Sequence, residues 1–140
     1  MKVLIAEDDK HIGEGLCAIL EAEGYWPLLA SDGEQALALF HAEDPQVILL
    51  DIMMPKRDGY TVCREIRKTN THVPVIFISA KSEEIDRVVG LELGADDYIQ
   101  KPFGTREVIA RIRAVSRRTL AQSASPSLSS EMLRLGDLEV

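Results

Sequence analysis

QVILLDIMMPKRDGY, residues 46–60, is the stretch around which the rest of the chain arranges itself. Val47 to Leu50 is an unbroken apolar run, which reads as a strand buried on both faces. The run stops at Asp51. Met54-Pro55 and Asp58-Gly59 then end regular structure, because proline and glycine both punctuate it. Asp51 is therefore expected at the carboxyl edge of a central parallel strand, where open α/β sheets place their ligand sites. Taken alone, a strand-ending aspartate is as often a cap as a reactive group. The residues that join it elsewhere in the chain decide between the two.

Working outward, short apolar strands alternate with segments of helical period. Lys2–Ala6 is a strand followed directly by Glu7-Asp8-Asp9, and residues 10–23 place Ile12, Leu16, Ile19 and Leu20 on one helical face before Gly24. A second strand is expected at Tyr25–Ala30. Ser31 with Glu34 three residues on reads as a capping box opening a helix to about Ala42. After Asp51, a helix is expected over Tyr60–Lys68, a strand over Val73–Ser79 and a helix from about Glu83 to Leu93. A short strand at Asp97–Ile99, a Lys101-Pro102-Phe103 loop and a helix from Thr105 to about Arg118 complete the series. Strict alternation of this kind implies a doubly wound, five-stranded parallel sheet with right-handed crossovers.

The serine-rich residues 120–131, with Pro126 among them and no apolar period, read as a linker. Residues 132–140 alternate apolar and polar around Gly136-Asp137, as the first strand of a further domain would. Residues 1–119 are thus the expected domain.

Composition narrows the function. A net charge of -7, from 16 basic and 23 acidic residues, argues against direct nucleic-acid binding by this portion. With no signal peptide and no long apolar run, the chain reads as cytoplasmic and unattached to membrane. The two cysteines, Cys17 and Cys63, lie in helical patterns beside apolar residues and read as reduced, packed thiols.

Glu7, Asp8, Asp51, Ser79 and Lys101 all fall at or just beyond strand carboxyl ends, which share one edge in a parallel sheet. Carboxylates gathered there repel unless neutralised. Oxygen donors without sulfur or imidazole suit a hard cation that keeps its waters, Mg²⁺ rather than Ca²⁺. A cation, a lysine and a hydroxyl around one carboxylate are arranged to stabilise phosphoryl oxygens, and the carboxylate itself can be the nucleophile. A Mg²⁺-dependent phosphohydrolase would need a second acid two residues beyond Asp51, where Met53 stands. A flavin or nucleotide module would need a glycine- or serine-rich loop after the first strand, and Glu7-Asp8-Asp9 would repel a phosphate there.

These motifs carry a resemblance. Glu7-Asp8, LLDIMMP around Asp51, Ser79-Ala80, Lys101-Pro102-Phe103 and the longer GLELGADDYIQKPF together resemble the receiver domain of bacterial two-component response regulators. They point to the subclass with a winged-helix DNA-binding output (OmpR/PhoB-like). The resemblance implies the flavodoxin-like fold with strand order 2-1-3-4-5. It implies that Asp51 accepts a phosphoryl group from a sensor histidine kinase, with Lys101 and Ser79 contacting that group. Mg²⁺ would be held by Asp8, Asp51 and the backbone carbonyl of Met53, and by Glu7 mainly through water. It also implies a cis Lys101-Pro102 bond and a switch in which Ser79 and Tyr98 move together. Such a domain is a signalling protein that catalyses only its own phosphorylation and dephosphorylation. An atypical receiver working without phosphorylation is the nearest alternative.

The same resemblance implies a homodimer through the helix-strand-helix face of residues 83–118 when phosphorylated. That face carries Arg87, Val88, Leu91, Glu92, Asp96, Asp97, Glu107, Ile109, Arg111 and Arg113. Pairs such as Arg87 with Glu107 and Asp97 with Arg111 would cross the two-fold axis, and DNA would be met only by the further domain.

Overall fold

The computed structural model describes the backbone of residues 1–80 and 84–128, and the side chains of residues 1–80 and 88–117. Five strands, β1 (Lys2–Ala6), β2 (Trp26–Ala30), β3 (Val47–Asp51), β4 (Val75–Ser79) and β5 (Asp97–Gln100), form one sheet in the order β2-β1-β3-β4-β5. Every adjacent pair is parallel. Five helices connect and follow them: α1 (Lys10–Ala22), α2 (Gly33–Glu43), α3 (Gly59–Thr69), α4 (Glu84–Glu92) and α5 (Thr105–Leu128).

Side chains alternate across a strand, and the central strands use both directions for packing. Leu4, Ile48, Leu50, Val75 and Phe77 face a core closed by Ala36 and Phe40 of α2 and Val62, Cys63 and Ile66 of α3. Val3, Ile5, Leu49, Ile76 and Ile78 face a second core closed by Leu16 and Leu20 of α1 and by Val108, Ile109, Ile112 and Val115 of α5. With both faces covered, β3 and β4 are buried at every position, which is why their sequences are continuous apolar runs. At the sheet edge β2 is partly exposed, and Pro27 there removes an N–H that could template another strand.

Helix starts differ in detail from the capping box expected at Ser31. The cap of α2 is Asp32, which accepts from Gln35 N–H at 2.8 Å, while Gln35 Oε1 accepts from Ser31 N–H at 2.9 Å. The cap thus falls one residue later than expected, and the side chain three residues on, Gln35, reaches back to the N–H of Ser31 and not to that of the cap itself. Asp9 and Asp58 cap α1 and α3 in the same way. Gly24 and Gly94 follow α1 and α4 with φ of 85° and 99°, as left-handed terminators.

Helix α5 is a clear departure from the sequence reading. It continues to Leu128, whereas the sequence reading ends the helix at about Arg118 and begins a linker at residue 120. Leu120, Ala121, Gln122 and Ala124 are all good helix formers, and this preference carries the helix on despite the serines. The expected start of a further domain at residues 132–140 lies outside the described residues. No helix among the described residues is long and apolar enough to cross a membrane. Cys17 and Cys63 are both free thiols.

Candidate phosphoryl-acceptor site

The parallel register brings the strand ends level. Ala6 pairs with Leu50, Asp51 with Ile78, and Ser79 with Gln100, so Glu7, Asp51, Ser79 and Lys101 emerge along one edge. Backbone bonds fix them there: Glu7 N–H donates to Ala30 O at 3.0 Å, Ile52 N–H to Ile78 O at 3.1 Å and Lys101 N–H to Ser79 O at 2.7 Å. The Lys101-Pro102 bond is cis, as the resemblance implied.

Three carboxylates meet here. Oxygens of Glu7, Asp8 and Asp51 lie within 4.8 Å of one another, with Glu7 and Asp51 buried and Asp8 exposed. Glu7 Oε2 accepts from Asp9 N–H at 3.0 Å and Asp51 Oδ1 from Met53 N–H at 3.3 Å. Lys101 Nζ lies 2.9 Å from Glu7 Oε1 and 3.4 Å from Asp51 Oδ2. The contact with Glu7 is an ion pair off hydrogen-bond alignment, so the buried Oε1 has a charge beside it but no aligned donor among the described residues.

The electrostatics follow from this crowding. Burial first, and then the neighbouring Glu7 carboxyl, push Asp51 up to about 7. Lys101 and the Met53 N–H pull the other way and lose. For Lys101, burial alone would lower its pKa, but Glu7 and Asp51 together outweigh burial and hold it above its ordinary value. One ammonium therefore faces more negative charge than it can neutralise. Fixed, partly desolvated oxygens with one orphaned acceptor and no sulfur or nitrogen donor fit a small hard cation.

A pH dependence follows. An acid whose folded pKa is raised binds its proton more tightly folded than unfolded, so stability falls as pH rises through the window between the two values. For Asp51 the window runs from the unfolded 3.8 to about 7. Asp51→Asn removes this term. Without divalent cations the variant is expected to melt a few degrees above wild type at pH 8, about 1–2 kcal/mol after allowance for solvent screening. At pH 4 the difference should largely vanish, and thermal melts at the two pH values check it.

Of the other expected residues, Ser79 is buried beside the cluster at 2 % exposure, and Tyr98 is buried in the α2/α3 core at 9 %. Ile12, Ala80, Lys101, Pro102 and Phe103 line a cleft of about 380 Å³ next to the carboxylates.

On the 83–118 face, Val88 and Leu91 are exposed, 46 % and 50 %, and Glu92 is exposed beside them. Arg111 donates to both oxygens of Asp97 at 2.8 and 3.0 Å and to Glu107 at 3.2 Å. The Asp97–Arg111 pair, expected across a two-fold axis, thus closes within one chain. Two residues of the expected set lie elsewhere. Ile109 is buried in the α1/α5 core, and Arg113 donates to Glu23 at the end of α1 at 2.8 Å. Each is two positions from Arg111, about 200° around the helix, which carries them to the other side. Asp96, exposed on this face, also accepts within the chain from Val75 N–H at 2.9 Å and from Arg67 at 3.2 Å. The side chain of Arg87 lies outside those described.

Arg67 is the contact the sequence did not reveal. Besides Asp96, it donates to Gly94 O at 2.6 and 3.0 Å, to Val73 O at 2.8 Å and to Asn70 O at 3.2 Å. It ties the α4–β5 turn to the end of α3. A basic residue in a helix's last turn reads as a favourable charge for the helix dipole, and only the fold shows its carbonyl partners.

Comparison with known proteins agrees with this geometry. Residues 3–113 match the family described as response regulator receiver domain. A curated relative, "Probable transcriptional regulator ycf27" of Guillardia theta, is 54% identical over 128 residues, covering 91% of this chain and 50% of that protein. The chain thus spans about half the length of that relative. Among solved structures, the receiver domain of Francisella response regulator 1452 superposes with TM-score 0.80 at 39% identity, covering 84% of this chain and 98% of that one. The BeF3-activated N-terminal receiver domain of Klebsiella pneumoniae RstA gives TM-score 0.80 at 31% identity, covering 84% and 99%. A CheY-like receiver protein of Methanospirillum hungatei gives 0.83 at 27%, covering 86% and 97%.

Proposed function

This chain belongs to the response regulator receiver domain family, and on that premise we propose that Asp51 is its phosphoryl acceptor, charged by the phosphohistidine of a sensor histidine kinase in the cytoplasm. The observation that carries the reading is the buried Asp51 carboxylate held between Glu7, Asp8 and the Lys101 ammonium. In the transfer an Asp51 oxygen attacks phosphorus as the P–N bond breaks. The electron pair returns to the histidine ring, which takes up a proton from solvent. Lys101 meets the charge that grows on the phosphoryl oxygens, and the Ser79 hydroxyl donates to one of them. Glu7, Asp8, Asp51 and the Met53 carbonyl would hold Mg²⁺, which supplies charge that keeps Asp51 ionised and screens the incoming phosphoryl group. The cleft at Ile12, Pro102 and Phe103 is the apolar approach beside the nucleophile, suited to the kinase's histidine-bearing surface. The protein then acts as a switch and not as an enzyme with a released substrate.

The output side of the proposal is a homodimer across α4, β5 and α5, built on Val88 and Leu91 with Arg87, Glu92, Asp97, Glu107 and Arg111 around them. Phosphorylation would bias Ser79 and Tyr98 toward the dimerising state. In the OmpR/PhoB-like subclass this brings together two winged-helix domains that control transcription, which is where DNA would be bound. Exchanging the intramolecular Arg111–Asp97 pair for an intermolecular one replaces like with like, so the swap itself needs little net free energy. Sedimentation with and without beryllofluoride plus Mg²⁺ tests this. Wild type should shift to a dimer only with both, and Arg111→Glu should stay monomeric while still binding them. A wild type that stays monomeric at every concentration would refute the dimer.

A further inference from the structure

The loop between Asp51 and α3 contains a residue in an unusual conformation. Lys56 has φ 70°, in the left-handed region that residues other than glycine seldom occupy. It is the middle of a three-residue turn in which Arg57 N–H donates to Pro55 O at 2.8 Å. A γ-turn with positive φ at its centre is rare and strained, and such strain persists only where the surroundings over-determine it.

The surroundings here are the start of α2. Gly33, its first residue, aims its N–H at the same Pro55 carbonyl, 3.5 Å away. The turn presses so close that a Cβ on Gly33 would collide with the carbonyl oxygen and Cβ of Arg57. Lys56 Nζ lies 3.8 Å from Asp32 Oδ2 and 3.9 Å from Glu34 Oε1. The loop's two ends are also fixed. Met53 N–H touches Asp51 Oδ1 at 3.3 Å, and Gly59 N–H donates to Ile52 O at 2.9 Å. Residues 52–58 are thus pinned at the nucleophile, at the mouth of α3 and, through the strained turn, on α2.

We propose that the Pro55–Lys56–Arg57 turn, docked on Gly33, is a positioning device that holds the Met53 segment in place for cation binding beside Asp51. The inference rests on the reading of that cluster as a Mg²⁺ site. Its logic is preorganisation: a loop already fixed loses little freedom when its carbonyl takes up an ion. Released, the loop must be ordered at the moment of binding and affinity falls.

Two substitutions at Lys56 separate backbone conformation from charge. Lys56→Ala and Lys56→Gly both delete the ammonium, but glycine occupies positive φ without penalty and alanine does not. Thermal melts titrated with MgCl₂ give the apparent affinity from the ligand-linked shift. Lysine bears the same Cβ penalty as alanine, so Lys56→Ala keeps the strain while losing the tether to Asp32 and Glu34. The turn then opens, and Mg²⁺ should bind more weakly, by up to about tenfold. Lys56→Gly should stay within roughly twofold of wild type, since its turn keeps its shape. Gly33→Ala, which forces the turn away, should lose about tenfold or more. If Gly33→Ala fails to fold, the Lys56 pair decides alone. A wild type that binds Mg²⁺ while Lys56→Ala and Lys56→Gly respond alike would overturn this inference and leave the site intact. A wild type indifferent to Mg²⁺ would remove the cation site, and this inference with it.

Discussion

Lys101→Met should slow phosphoryl uptake from acetyl phosphate by about 10²–10³-fold, the usual loss when one preorganised donor is taken from a developing oxyanion. The same substitution should tighten Mg²⁺ binding. Lys101 lies between Glu7 and Asp51, and removing it leaves those carboxylates facing each other with nothing to neutralise them. A divalent cation then gains what the ammonium had been supplying. Without Mg²⁺ the variant should be less stable at pH 8 by about 1–3 kcal/mol, because buried charge is left unpaired, and saturating Mg²⁺ should restore most of that. Slower chemistry with stronger cation binding is the signature of a group that serves the transferring phosphoryl and not the metal. Adduct formation followed by mass, beside Mg²⁺-titrated melts, measures both. Weaker Mg²⁺ binding in Lys101→Met would contradict the assignment.

Gly59→Ala should be among the most damaging single-methyl additions in the chain. A Cβ there would sit 2.5 Å from the Asp51 carbonyl oxygen and 2.9 Å from Ile52 Cα. Both are backbone atoms of the strand end, so neither can swing aside. Overpacking of this kind costs about 1–3 kcal/mol or more, and relief requires moving Asp51 itself, so phosphoryl uptake should fall with stability. Gly15→Ala supplies the contrast. Gly15 lies within α1 and a Cβ there meets nothing within 4 Å, so the same methyl should stabilise by about 0.5–1 kcal/mol through helix preference alone. Denaturant melts of the two variants should differ in sign. Equal effects would mean that the close approach of α3 to the end of β3 is not what excludes a side chain.

How much of this could be read from the sequence depends on how local its cause is. Apolar runs ending in a carboxylate or hydroxyl announced β1, β3 and β4, and strict alternation with helical segments set the parallel order. Once the order is known, Glu7, Asp51, Ser79 and Lys101 must share an edge, and they do. The cap of α2 was displaced by one residue because Ser31 and Asp32 carry the same signal. The extension of α5 was missed because serines and a proline outweighed the alanines and leucine around them in a reading based on composition.

The face of residues 83–118 shows where pattern reading reaches its limit. Charge was correctly expected on α5, but Arg113 and Ile109 were grouped with Glu107 and Arg111, although a step of two residues crosses to the other side of a helix. Asp96 is placed on that face by the sequence, but its contacts with Val75 N–H and Arg67 are visible only in the fold. Its partner Arg67 is 29 residues away, and nothing in either local sequence announces the other. Lys56 is similar: a lysine between proline and arginine gives no hint of positive φ, which only the approach of α2 imposes.

The measurement that tests the central claim most directly is intact mass after incubation with acetyl phosphate, with and without Mg²⁺, on wild type and Asp51→Asn. One phosphoryl adduct on the wild type, absent without Mg²⁺ and absent from Asp51→Asn, is the predicted result. An adduct that persists in Asp51→Asn would mean the nucleophile is another residue. A wild type that takes up neither a phosphoryl group nor beryllofluoride would contradict the phosphoryl-acceptor account itself.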